Sequence, residues 1–299
     1  MHAMRQAEVP QRPPRVLAAM HMRIMPPLAG PAASFDRRVD WLAAEAAGQL
    51  AAVQARVPGK DWMHMLCSTC LSPMLTGWQQ HADALAEALQ ARCSLRPLAL
   101  LKPYQCVGWG YALRFAAQLP GVRHVALTIV DADLHGVLQA SYEREIGRVG
   151  FGVTTLALAL PEHTAVPLCG GPYANRGFTE FMHAIKATQR GRERLPTFLP
   201  FLPEGLAGLA ERMLGNEGLW PNRHALYGHA FGADPWIGLI EWLRAEPPRA
   251  AQAVVLGAFA YNGYIAVGQF EVTPESHVVL RAFGDSALPA AACPERALQ

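Results

Sequence analysis

The sequence predicts an α/β protein in which helices cover a mainly parallel sheet. Apolar segments of strand length alternate with segments of helix length through the first half, and the same alternation returns after a glycine-rich segment at residues 147–152. The chain has 299 residues and is 51% hydrophobic, enough to bury a large core as two domains or as one duplicated unit. We expect a flexible tail at 1–14 and two similar halves, 15–146 and 147–299.

Hydrophobic periodicity predicts the elements of the first half. Short apolar runs indicate strands, and apolar residues at helical spacing indicate helices. The predicted strands are residues 15–25, 61–67, 98–101 and 122–130, and the predicted helices are 35–57, 78–93 and 111–118.

The second half repeats this alternation. Residues 169–172 are predicted to form a turn, and Gly263 suits a hairpin turn between two of the last three strands, which are expected to be consecutive. The predicted strands are 153–160, 195–202, 224–227, 253–260, 264–272 and 276–282, and the predicted helices are 176–190, 204–214 and 234–243.

Composition excludes several classes of function. The net charge is only +2 and the basic residues are scattered, which argues against binding to nucleic acid. No apolar run is long enough to span a membrane, and the N-terminus does not resemble a signal peptide. The six cysteines are too sparse for a disulfide scaffold, so we expect a reduced, cytoplasmic protein. Cys67 and Cys70 form a Cys-x-x-Cys without further ligands at suitable spacing, and no metal site is expected.

Cys106 lies where the predicted strand at 98–101 turns into the predicted helix at 111–118. A thiol at a helix N-terminus faces unpaired N–H groups and the positive end of the helix dipole, which favour the thiolate and can hold an oxyanion. This position indicates an enzyme with a cysteine nucleophile. A buried, unreactive cysteine fits the local pattern equally well, because free cysteine is among the most buried residue types.

The motif Cys-x-Gly-x-x-Tyr-Ala-Leu that begins at Cys106 resembles the nucleophile motif of the ketoacyl-ACP synthase III family in the thiolase superfamily. Over roughly residues 60–272, further landmarks follow in matching order. They are the strand that ends at Asp133, the glycine-rich strand at 150–153, the loop at 228–233 and the segment at 256–259. The resemblance implies a thiolase-like, five-layered α/β/α/β/α fold of two pseudo-equivalent halves.

The resemblance also implies the substrates and partners. Acyl groups would arrive as thioesters on the phosphopantetheine of an acyl carrier protein or on CoA, and no bound cofactor is expected. The segment that frames the CoA entrance in typical members has no counterpart here, which favours a carrier protein. The family usually forms dimers, so we expect a homodimer or a heterodimer with a second synthase-like subunit.

Two functional residues of the family are replaced. In the family, a His in a Pro-His-x-x-Asn stretch and an Asn in a later loop together hold the thioester carbonyl during loss of carbon dioxide. The resemblance places Phe201 at the position of that His and His229 at the position of that Asn. Because a phenyl ring cannot donate a hydrogen bond to an enolate oxygen, decarboxylative condensation would require His229 or His224 to take over the role.

We expect Cys106 and His229 to be the catalytic pair, with His229 as the base for an incoming hydroxyl, amine or thiol. The alternative is a histidine that only fills the space of the Asn. By resemblance, the N–H of Cys106 and one from the Asn262–Gly263 region form the oxyanion hole.

Four further residues are candidates for the pocket or the site. Gly108 and Phe201 are expected near the pocket. His224 is favoured as a structural residue. Asp234 could orient an imidazole, but its place before a proline at a helix start favours a capping role.

These observations predict an acyltransferase or condensing enzyme that forms a Cys106 acyl-thioester in polyketide or fatty-acyl specialised metabolism. One alternative is a non-catalytic partner subunit that shapes the tunnel of an active synthase. The other is decarboxylative condensation with rearranged hydrogen-bond donors.

Overall fold

Five strands of the first half form one mixed sheet. The computed structural model describes residues 11–24, 34–58, 61–71, 80–101, 103–134, 146–190 and 194–282. The elements are β1 (Arg15–Ile24), α1 (Phe35–Arg56), β2 (Trp62–Cys67), α2 (Gln80–Arg92), β3 (Pro97–Leu101), α3 (Gly108–Gln118), β4 (His124–Asp131) and β5 (Phe151–Ala159). The order is β3–β2–β4–β5–β1, with β2, β3 and β4 parallel and β5 antiparallel to both neighbours.

The second half repeats this plan. Its elements are β6 (Leu168–Gly170), α4 (Gly177–Gln189), β7 (Thr197–Phe198), α5 (Glu204–Leu214), α6 (His224–Tyr227), α7 (Asp234–Ala245), β8 (Gln252–Phe259), β9 (Ile265–Val272) and β10 (His277–Ala282). The order β7–β8–β9–β6 matches β2–β4–β5–β1, and the counterpart of β3 is reduced to a bridge between Thr197 and Leu219. A pairing of Arg15 with Glu271 joins the two sheets.

Three hydrophobic clusters define the layers. One packs α1 and α2 on the first sheet, and another packs α4 and α5 on the second. Between the sheets, α3 and α7 meet through Trp109 and Trp236, whose rings contact edge to face at 5.5 Å. A Cβ on Gly110 would lie 2.5 Å from the Ala266 Cβ, so glycine is needed for α3 to approach β9. The predicted five-layered fold of two pseudo-equivalent halves is confirmed.

The same turn begins a helix at three places. Gln105, Ala174 and Phe231 have φ values of 47°, 46° and 53°, and each starts a 3-10 turn that runs directly into α3, α4 or α7. This backbone conformation is uncommon outside glycine. The turns at 105 and 231 lie against each other, since a Cβ on Gly232 would lie 3.1 Å from the Cys106 carbonyl oxygen. The duplication therefore brings the two helix starts together at Cys106.

Several predicted elements of the second half were wrong. Residues 224–227 form a helix rather than a strand, only Thr197–Phe198 of the segment 195–202 is a strand, and 168–170 pair with β9 before the predicted turn. β10 does not extend a hairpin array but pairs in parallel with β1. These errors share one cause, because short segments take their conformation from distant neighbours.

The limits of the predicted halves and tail also differ from the structure. β5 pairs with β4 and β1, so this strand lies in the sheet of the first half although it follows residue 147. Most of the predicted tail lies outside the described residues, but Arg12 exchanges backbone hydrogen bonds with His163 and Ala165. No helix in the described ranges has the length and apolar character needed to cross a membrane.

Candidate active site

The Cys106 thiol lies at the junction between β3 and α3. β3 ends at Leu101, and the 3-10 turn Gln105–Val107 continues into α3. Only 6% of the Cys106 surface is exposed. The first N–H groups of a helix have no acceptor within it, so the thiol lies at the positive end of α3, where the sequence predicts it.

His229 faces this thiol from the second half. Its Nε2 lies 3.7 Å from the Cys106 Sγ. The His229 N–H donates to the Arg148 carbonyl at 2.8 Å, and the Gly150 N–H donates to the His229 carbonyl at 2.9 Å. Backbone hydrogen bonds on both sides therefore fix the segment that carries the imidazole.

Asp234 aligns the imidazole with the thiol. Its Oδ2 accepts a hydrogen bond from His229 Nδ1 at 2.6 Å, which leaves Nε2 directed at the sulfur. The carboxylate is fully buried. Its Oδ1 also accepts the Ala230 N–H at 2.6 Å, and Oδ2 accepts the Phe201 N–H at 2.9 Å. Cys106, His229 and Asp234 thus form a hydrogen-bonded row.

The capping role favoured for Asp234 is wrong. Asp234 is the first residue of α7, the N-cap position is Ala233, and no side chain caps this helix. The groups that bind the carboxylate belong to the segments before the helix, because the fold packs those segments against it.

Charge in this row favours the protonated imidazole. Burial lowers the pKa of His229, but the Asp234 carboxylate and the Cys106 sulfur outweigh burial, and the pKa of His229 is raised well above its usual 6.5. An imidazolium beside a sulfur is the arrangement that activates a cysteine nucleophile.

Solved structures share this arrangement of strands and helices. A 3-oxoacyl-(acyl-carrier protein) synthase from Burkholderia xenovorans LB400 is 12% identical, with a TM-score of 0.63 over 91% of this chain and 97% of that one. The 3-oxoacyl-(acyl carrier protein) synthase III FabH from Pseudomonas aeruginosa PAO1 is 15% identical, with a TM-score of 0.58 over 88% and 99%. The chain has the thiolase fold. A third structure, the acyltransferase ChlB3, is 14% identical, with a TM-score of 0.63 over 88% and 99%. No family model and no curated protein matches the sequence.

Within the thiolase fold, the turn between β8 and β9 rests on the segment before Cys106. The Asn262 side-chain amide donates to the Pro103 carbonyl at 3.1 Å. Gly263 has a φ of 82°, and its N–H donates to the Ala260 carbonyl at 2.9 Å. Because this hydrogen bond closes the turn, the Gly263 N–H is not free to hold an oxyanion, and an oxyanion donor from the Asn262–Gly263 region stays a prediction.

Gly108 and Phe201 contribute to the site through their backbones. The Gly108 N–H donates to the Gln105 carbonyl and closes the turn that holds the thiol. Phe201 is buried with its ring stacked on that of Tyr227 at 5.7 Å, while its N–H binds Asp234.

His224 is not part of the row. Its Nε2 donates to the Ile146 carbonyl at 2.9 Å. This bond holds the segment before β5 and agrees with the structural role favoured from the sequence.

Two polar residues beside Cys106 were missed by the sequence analysis. The Thr69 hydroxyl lies 3.9 Å from the Cys106 Sγ, and Asp131 binds the turn that carries Thr69. One sequence pattern could have indicated them. Thr69 and Asp131 come after the apolar segments of β2 and β4, and parallel neighbouring strands end at the same side of a sheet. The sequence does not show that β2 and β4 are neighbours.

The Asp131 carboxyl predicts a pH dependence of stability. Burial raises its pKa from 3.8 to about 6. The unfolded chain therefore loses this proton at lower pH than the folded chain, and stability falls as pH rises through this range. Relative to Asp131→Asn, we expect the wild-type free energy of unfolding to decrease by up to about 3 kcal/mol between about pH 4 and pH 7. Urea unfolding of both proteins measures this difference, which a pH-independent value would contradict.

Proposed function

We propose that this protein is a thioester-dependent acyltransferase of the condensing-enzyme type, which carries its acyl group on Cys106. The row formed by Cys106, His229 and Asp234 is the observation that carries the proposal. It supplies a nucleophile, a base and a carboxylate that orients the base, which are the three roles of a catalytic triad in acyl transfer.

In the first step, the Cys106 thiolate attacks the carbonyl carbon of an acyl thioester. The new carbon–sulfur bond forms as the carbonyl becomes an oxyanion, held by the backbone N–H of Cys106. The oxyanion then collapses and the bond to the pantetheine sulfur breaks. His229 gives its Nε2 proton to this leaving thiolate.

In the second step, the acyl group leaves Cys106. An acceptor hydroxyl, amine or thiol attacks the acyl carbon and passes its proton to His229 Nε2, and the bond to Cys106 breaks to restore the thiolate. Asp234 keeps Nδ1 protonated and stabilises the imidazolium that forms. The resting pair of thiolate and imidazolium is thereby regenerated.

Transfer to a heteroatom is favoured over decarboxylative condensation. Phe201 occupies the position that the family resemblance gives to a histidine, and its buried ring stacks on Tyr227. A phenyl ring supplies no hydrogen bond to an enolate, and loss of one such donor costs about 10²- to 10³-fold in rate. Carbon dioxide release from a malonyl thioester tests the condensation directly.

The substrate is an acyl group on the phosphopantetheine of an acyl carrier protein or on CoA, within polyketide or fatty-acyl biosynthesis. The names of the similar structures, which describe 3-oxoacyl-(acyl-carrier protein) synthases and an acyltransferase, support this class. The working form is a dimer, either with a second copy or with another synthase-like chain.

We expect the protein to gain the mass of one acyl group when incubated with acyl carrier protein or CoA thioesters. Intact-mass and peptide mass spectrometry locate the adduct at Cys106, and Cys106→Ala abolishes it. Cys169→Ala, which removes a partly buried cysteine elsewhere, is the matched control and keeps the adduct. If no acyl donor labels Cys106, the acyltransferase proposal is wrong.

The Cys106→Ala variant also distinguishes the acyltransferase from the alternative, a non-catalytic partner subunit. A non-catalytic partner would co-purify with a synthase-like chain, and Cys106→Ala would leave the activity of the complex unchanged. The row at Cys106 argues against this alternative, because a subunit without catalysis has no need for an oriented base.

A further inference from the structure

The turn after β2 places a second polar group, the Thr69 hydroxyl, next to the Cys106 sulfur. Thr69 is almost fully buried, and its Oγ1 is placed to donate to the Cys106 Sγ at 3.9 Å. A buried hydroxyl needs an acceptor. Since the sulfur also faces His229 at 3.7 Å, it is contacted by two donors that come from opposite halves of the chain.

The Asp131 carboxylate fixes this turn in place. Its Oδ1 accepts the Thr69 N–H at 2.6 Å, the Cys70 N–H at 2.8 Å and the Ser68 hydroxyl at 3.3 Å. The Ser68 oxygen in turn accepts the Leu71 N–H at 3.1 Å. One carboxylate oxygen at the end of β4 therefore organises the turn at 68–71.

The cost of burying this carboxylate points to a functional use. Asp131 is 2% exposed, and its Oδ2 has no hydrogen-bond partner within the part of the chain that the structure describes. A buried carboxylate with a partnerless oxygen is destabilising, and a neutral side chain would serve a purely structural turn with less cost. Thr69, which this turn places against the sulfur, is the group available for such a use.

We propose that the Thr69 hydroxyl is a second hydrogen-bond donor to the Cys106 thiolate, and that Asp131 is the positioning residue that holds it there. The inference deepens the proposed function, because it assigns a further group to the same nucleophile. A hydrogen bond to the charged form of a group favours that form. Thr69 therefore increases the thiolate fraction at a given pH and holds the sulfur in a fixed direction.

The test is the pH profile of Cys106 alkylation by iodoacetamide, followed at the Cys106 peptide by mass spectrometry. Thr69→Val keeps the side-chain shape and removes the hydroxyl. We expect its alkylation midpoint to rise by about one pH unit, which is a tenfold loss of thiolate below the midpoint. Thr69→Ser restores the hydroxyl and the midpoint. An unchanged midpoint in Thr69→Val overturns the proposal.

Two further variants separate positioning from general destabilisation. Asp131→Ala releases the turn and gives the rise seen for Thr69→Val. Thr155→Val removes a buried hydroxyl in β5 that lies near Thr128, and it leaves the midpoint unchanged. A rise in Thr155→Val equal to that in Thr69→Val would contradict the specific role.

This measurement needs no acyl donor. Failure of the acyltransferase proposal would leave the alkylation profile intact, and failure of the Thr69 proposal would leave the acyl adduct on Cys106. The two outcomes are therefore distinguishable.

Discussion

Asp234→Asn is expected to lower the rate of acyl transfer to Cys106 by about 10³- to 10⁴-fold, as loss of the orienting carboxylate does in other triads. Both oxygens of Asp234 accept hydrogen bonds, from the Ala230 N–H on one side and from His229 and the Phe201 N–H on the other. An asparagine can accept on only one side and presents an N–H donor to the other. If the asparagine N–H faces the backbone donors, their support is lost. If it faces His229, the imidazole takes the tautomer with its lone pair on Nδ1 and its proton on Nε2, which cannot act as the base.

The rate of acyl-enzyme formation from a fixed acyl thioester, measured in single turnover, tests this prediction. Glu241→Gln is the matched control, because it neutralises a carboxylate on the same helix that instead binds Arg223 and Tyr227. We expect that control to keep its rate within about threefold. An Asp234→Asn protein that folds normally and acylates at the wild-type rate would show that Asp234 is only structural.

Gly150→Ala is expected to lower both stability and activity. A Cβ at this position would overlap the backbone carbonyl oxygen of Tyr227, which cannot turn aside like a flexible side chain. Overpacking of this kind costs about 1–3 kcal/mol. The Gly150 N–H also donates to the His229 carbonyl, so the displaced segment carries the imidazole with it. A shift of about 1 Å in a catalytic group lowers the rate by about 10²-fold.

Gly48→Ala is the control for this substitution. Gly48 lies within α1, and a Cβ there would have no heavy atom within 4 Å. Alanine in a helix interior is favoured by about 0.5–1 kcal/mol over glycine, so this variant should be more stable and equally active. Denaturant unfolding and the acylation rate of both variants test the pair, and equal stabilities would contradict the predicted overlap at Gly150.

The sequence predicted most of what depends on contiguous residues. The period of the apolar residues placed the helices of the first half within a few positions, and the strand, turn and helix around Cys106 follow from residues 98–118. The resemblance to the ketoacyl-ACP synthase III family then indicated the five-layered fold, because the landmarks of the family occur in the same order in this sequence although individual motifs differ. It also placed His229 near Cys106, which periodicity could not have done.

The predictions failed where a residue takes its role from distant partners. The sequence predicts a strand at residues 224–227, but these residues form a helix. β10 pairs with β1, which lies more than 250 residues earlier in the chain. The local position of Asp234 before Pro235 indicates a cap, while its actual partners lie in two preceding segments, at Phe201 and at His229–Ala230.

By itself, the sequence determined the α/β class and the position of a cysteine at a helix start, because both are encoded in spacing along a few neighbouring residues. Only the tertiary structure decided what surrounds that cysteine. The imidazole of His229, its orienting partner Asp234 and the Thr69 hydroxyl reach the sulfur because the duplicated sheets set two helix starts against each other and bring the ends of β2 and β4 together. Such contacts are fixed by packing and burial, which no local pattern records.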